Sequence, residues 1–133
     1  FAHSIDNFQA QVDLFELTGL VANLAGRLAA MRKLTIQVEQ PKAPLVFSGN
    51  PFLLQNLIWL CLEFAFKATN ADSTLLLIPE GVDTGITLRI CGIDSLDEGF
   101  SGKIPTESED LLAALGARLS ANCNSKELIL HLA

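Results

Sequence analysis

Between Asn50-Pro51 and Thr69-Asn70 the chain is apolar on nearly every side, with Leu53, Leu54, Leu57, Ile58, Trp59, Leu60, Leu62, Phe64 and Phe66 in succession. Asn50 is placed to cap a helix and Pro51 to occupy its first turn, so Phe52 to Thr69 is expected to be helical. A helix without a polar face has to be covered on most sides by other elements. The remainder of the 133-residue chain must supply that cover. This length corresponds to a single domain, residues 1–133, with residues 1–11 as a short lead-in.

The flanking patterns provide suitable partners. Asp13 with Glu16 three residues later forms a capping-box arrangement. Leu14, Leu17, Val21, Leu24, Leu28 and Met31 follow at helical spacing, and Arg32 and Lys33 suit a helix C-terminus. Residues 34–38 alternate with period two and read as a strand, with a second short strand at 45–47. Residues 75–78 and 86–91 read as strands joined by a turn around Gly81–Gly85, a hairpin. Residues 92–106 are loop-like. Thr106 or Ser108 is a candidate cap for a third helix through Leu119, with Glu107, Glu109 and Asp110 in its first turn. Residues 119–123 and 128–132 close the chain as another hairpin. The predicted fold class is α/β (α+β): a two-layer sandwich with three helices on one face of a mixed sheet of five to six strands.

Composition narrows the functional classes. Half of the residues are hydrophobic, enough for a core. The net charge of −6 repels nucleic acid and anionic lipid, so neither is an expected partner. Cys61, Cys91 and Cys123 are odd in number and lack CxxC spacing, which fits buried free thiols in a reducing, cytoplasmic setting. His3 and His131 stand at opposite ends of the sequence, so no metal site is expected. No run of 18 uninterrupted apolar residues and no signal-peptide pattern is visible.

Three stretches carry a resemblance in the same order. These are "VDLFELTGLVANLAGRLAAMRKLTIQVE", "GNPFLLQNLIWLCLEFAFKAT" and "LLAALGARLSANCNSKELILHL". They are similar, respectively, to the opening helix and strand, the asparagine-box helix, and the terminal helix, glycine turn and hairpin of the ATP-binding domain of bacterial sensor histidine kinases. That domain belongs to the GHKL superfamily, with DNA gyrase, heat-shock chaperones and mismatch-repair proteins, and has the Bergerat fold. The resemblance covers residues 12–132 and implies this fold.

Carried over position by position, the resemblance implies a nucleotide site with altered chemistry. The family's Mg²⁺-ligating asparagine falls on Phe64, and its polar partner one turn earlier falls on Leu60. Lys67 matches the family's basic residue one turn on, although a lysine at a helix end also complements the dipole. Glu63 points about 100° away from Phe64 on a helix and reads as a solvent-side charge. The adenine-reading aspartate falls on Gly92. Asp94, two residues later, is a candidate substitute or a turn residue. Of the Gly-x-Gly that opens the phosphate-binding helix, Gly102 alone is kept. Only about ten residues separate Gly92 from Gly102, too few for the family's long lid. The family's phospho-acceptor box is absent: His3-Ser4 does not match it, and His131 lies in an alternating strand as a structural residue.

These positions together imply a degenerate ATP-binding domain with no catalytic residue and no cofactor. Its expected role is a protein-interaction module of two-component signalling, with a response regulator or a kinase as partner. One form of that role is the kinase-like half of a histidine phosphotransferase, with dimerisation through an upstream segment. The alternative is an active sensor-kinase domain that binds Mg-ATP through an atypical site. A third reading is an unrelated α/β binding module. Trp59 and Phe52 are candidates for an exposed docking patch, with core packing as the expected role of both.

Overall fold

The computed structural model describes residues 10–82, 85–93, 106–122 and 126–132. Ten elements follow in chain order: β1 (Ala10–Asp13), α1 (Leu14–Met31), β2 (Thr35–Val38), β3 (Val46–Gly49), α2 (Pro51–Lys67), β4 (Thr74–Val82), β5 (Gly85–Cys91), α3 (Thr106–Leu115), β6 (Arg118–Asn122) and β7 (Glu127–Leu132). Five strands form one sheet in the order β2-β4-β5-β7-β6, and β1 pairs with β3 separately. β2 runs parallel to β4 and the other pairings are antiparallel. The mixed sheet and three helices are those the sequence predicted.

Strand periodicity separates the two faces of the sheet. Leu75, Leu77, Leu88, Ile90, Leu128, Leu130 and Leu132 alternate inward and are buried against the helices. The alternate positions, including Glu80, Arg89, Cys91, Glu127 and His131, form the other face. α1 packs on β2, β4 and α2, and α2 packs on both α1 and α3. Leu54, Leu57, Ile58, Leu62 and Ala65 of α2 are fully buried, as an all-round apolar helix requires. By length and mean hydropathy alone, 1.2 over 18 residues, α1 could cross a membrane. Here it is a core helix whose Leu14, Leu17, Val21, Ala25 and Ala29 pack into the sandwich.

The helix starts form as expected. The Asp13 carboxylate accepts from Glu16 N–H at 3.1 Å. Asn50 Oδ1 accepts from the N–H groups of Phe52 and Leu53 at 2.9 and 3.2 Å.

Several boundaries differ from the sequence reading. The lead-in predicted for residues 1–11 is already a strand at Ala10, paired from Ala10↔Gly49 to Asp13↔Val46. A four-residue strand whose partner lies far along the chain leaves little local signal. The second predicted strand, β3, consequently pairs with β1 and not with the main sheet. β4 continues to Val82, pairing Val82 with Gly85. Pro79 is tolerated there because β2 pairs only as far as Val38↔Leu77, so β4 has an open side beyond that point. α3 ends at Leu115 and not at Leu119, because Gly116 at φ 66 stops the helix and Arg118 starts a strand. Both predicted caps, Thr106 and Ser108, fall within the helix itself.

Candidate functional site

The α2 stripe that the resemblance singles out is laid down by helix geometry. Leu60, Phe64 and Lys67 are four and three residues apart and share one face. Leu60 and Phe64 are half-buried and packed against the core cluster, while Lys67 is exposed in the last turn. Glu63, expected to be a solvent-side charge, is half-buried. Beyond Lys67 the chain turns within six residues into β4, whose Leu76 pairs with Cys91 at the end of β5. The C-terminal end of α2 and the residues after β5 therefore lie at the same end of the molecule. Sequence reasoning grouped Leu60, Phe64, Lys67 and Gly92 at one site.

Gly92 is fixed by its surroundings. Its φ is +96, and a Cβ there would stand 2.6 Å from the Thr74 carbonyl oxygen. The N–H groups of Gly92 and Ile93 both donate to the Lys126 carbonyl at 3.2 Å, and Ile93 is fully buried. The end of β5 is thus pinned between the start of β4 and the β6–β7 turn. The backbone at Gly92 leaves no room for a side chain. Asp94 and Gly102 lie outside the described residues, as do His3, Cys123 and most of the predicted 92–106 loop. Glu109 and Asp110 of α3 are exposed.

The side chains of Leu60 and Phe64 contain no oxygen and Gly92 has no side chain, so none of the three can supply a metal ligand or a carboxylate for adenine. Among the described residues, no three His, Cys, Asp or Glu side chains come together as a metal site.

The helix-free face of the sheet carries a polar cluster that sequence reasoning missed. Arg89 bonds Glu127, which is nearly buried, and reaches Glu80 at 3.3 Å. Cys91 Sγ lies 3.5 Å from the same Glu127 carboxylate. Burial, then the nearby Glu127 charge, pushes the Cys91 thiol up to about 11. Ser120 Oγ and His131 Nε2 are 3.0 Å apart on this face. Residues 80, 89 and 127 share a face by strand alternation, but only the register Ile78↔Arg89 and Arg89↔Ile129 makes them neighbours. The thiols were expected to be buried. Cys61 is, whereas Cys91 is half-buried because it stands on this open face.

The helix layer also has an open apolar surface. Phe52, assigned to the core by sequence reasoning, is 51% exposed. Trp59 is half-buried against the core, as expected.

The sandwich has the architecture of a known class, the ATP-binding fold of sensor histidine kinases. Among solved structures, the chain is similar to the ATP-binding domain of PrrB from Mycobacterium tuberculosis, with a TM-score of 0.74, 16% identity, and coverage of 94% of this chain and 96% of that one. The nucleotide-free catalytic domain of histidine kinase ThkA matches with a TM-score of 0.75, 12% identity and coverage of 94% and 96%. The cytoplasmic segment of histidine kinase QseC matches with a TM-score of 0.69, 14% identity and coverage of 96% and 79%. No protein-family model and no curated protein matches the chain. Identities this low establish a shared fold and leave function to the chemistry of the site.

Proposed function

We propose that this domain is a degenerate histidine kinase-like module that no longer binds ATP and acts through protein contacts in cytoplasmic two-component signalling. One form of this role is the kinase-like half of a histidine phosphotransferase, with a response regulator or a kinase as partner. The observation that carries the proposal is Phe64. Its aromatic ring is packed on the core, and the resemblance assigns this position to the family's metal-ligating oxygen. Leu60 and Gly92 extend the same change to the neighbouring polar contact and to the adenine contact. Each lost polar contact costs about 1–3 kcal/mol of binding. Three together would move a nucleotide from micromolar to beyond millimolar affinity.

Calorimetric titration of Mg-ATP and Mg-ADP into the domain, paired with a thermal-shift assay, tests this. The expected outcome is no heat of binding and no stabilisation at millimolar nucleotide. Binding at tens of micromolar would overturn the proposal and restore the kinase reading, with Lys67 and Asp94 as the groups to mutate next.

A further inference from the structure

α1 presents an apolar stripe to solvent. Leu20 is 47% exposed, Leu24 56% and Met31 76%. At helical spacing the three fall within about 40° of one another, one above the next along the axis. Phe52 and Trp59 of α2 line a groove with Val21 and Leu24, so the stripe continues sideways onto an aromatic surface. Apolar side chains left this exposed and adjoining one another mark an interaction surface.

The charges of α1 identify the occupant. Glu16 and Arg27 are the only charged residues between Leu14 and Met31, and both are exposed. They lie about 20° apart around the helix, on the flank of the stripe opposite to Val21. Along the axis, the midpoint between them falls within about 1 Å of the midpoint between Leu20 and Leu24. A second α1 related by a twofold axis at that level runs antiparallel to the first, and each flank of one helix faces the same flank of the other. Leu20 then meets the partner's Leu24, Glu16 meets the partner's Arg27, and symmetry makes each contact twice. A parallel pair at the same level would set Glu16 beside Glu16 and Arg27 beside Arg27, with like charges at both ends. The surface is thus complementary to itself in one orientation, which is what a symmetric dimer requires.

We propose that α1 is a homodimer interface, with two copies of this chain packed antiparallel about Leu20 and Leu24 and tied by two Glu16–Arg27 ion pairs. Met31 extends the stripe toward the N-terminal end of the partner's α1. This assembly uses no segment upstream of the domain and is independent of whether the domain binds nucleotide.

Sedimentation equilibrium of the 1–133 chain, in reducing buffer so that its cysteines stay as thiols, reads the dimer directly. Between micromolar and millimolar chain, the mass is expected to rise from that of one chain to that of two. Leu24→Ser removes a side chain that is more than half exposed, and is expected to weaken dimerisation about a hundredfold because each dimer loses the contact twice. Glu16→Arg and Arg27→Glu are each expected to weaken it about tenfold by setting like charges face to face. The two changes combined are expected to restore the parent affinity, which a merely structural effect of either would not do. Thermal unfolding checks that each variant folds. A chain that stays monomeric at millimolar concentration would overturn the proposal. A dimer that Leu24→Ser leaves unchanged, or a double variant no tighter than the single ones, would also overturn it by assigning the contact to another face.

Discussion

Gly92 was singled out in the sequence because the resemblance places an aspartate there, and its backbone conformation disfavours any side chain. A residue with a side chain at φ +96 carries about 1–3 kcal/mol of strain. Here the Cβ would also overlap the Thr74 carbonyl oxygen. Gly92→Asp is therefore expected to destabilise the domain by about 3 kcal/mol, read from the urea midpoint, and not to create nucleotide binding. An unchanged midpoint would show that the end of β5 can open, and would return this position to the set of usable ligand sites. Phe64 was legible differently, because its identity alone shows that the side chain carries no oxygen. What the sequence could not give was its half-buried packing on the core, which depends on the neighbouring elements.

Among the elements, α1 shows how a helix end can be predicted in kind and still differ in detail. Arg32 and Lys33 were read as complements to the helix dipole. The structure instead uses Lys33 at φ 58 to close a Schellman turn. Lys33 N–H donates to the Ala30 carbonyl at 3.0 Å, and Leu34 N–H donates to the Ala29 carbonyl at 2.8 Å. A lysine in the left-handed region carries a cost of about 1 kcal/mol that glycine lacks. Lys33→Gly is expected to raise stability by about 0.5–1 kcal/mol in chemical denaturation, and a loss of stability would show that the lysine side chain contributes more than its backbone costs. α3 illustrates the converse: Gly116 was visible in the sequence, but the apolar run on either side concealed that the helix stops there.

For the whole molecule, stability at alkaline pH follows from its thiols. Burial pushes the Cys61 thiol from an ordinary value of 9.0 up to about 12. In the unfolded chain this thiol loses its proton above about pH 9, while in the folded chain it keeps it until about pH 12. Over that window the unfolded state binds fewer protons, so stability is full below about pH 9 and falls as pH rises. For Cys61 the slope approaches about 1.4 kcal/mol per pH unit. Half-buried Cys91 acts in the same direction. Urea midpoints measured at about pH 8 and about pH 10.5 are expected to fall, and Cys61→Ala is expected to flatten that fall while lowering the baseline. An identical slope in the variant would place the alkaline loss in other groups.

By itself, the sequence determined the elements whose information is local. These are the buried helix marked by a cap, a proline and an unbroken apolar run, the amphipathic helix before it, the paired strands with their turn residues, and the order that makes a two-layer sandwich. Periodicity and capping act over a few residues, so they can be read one segment at a time. Tertiary structure alone decided the pairing of β1 with β3, the register that assembles Glu80, Arg89, Cys91 and Glu127 on one face, the closure of the Gly92 position by Thr74, and the exposure of Phe52 beside the α1–α2 groove. Each of these depends on contacts between residues distant in sequence, whose free energy is gained only when the chain has brought them together.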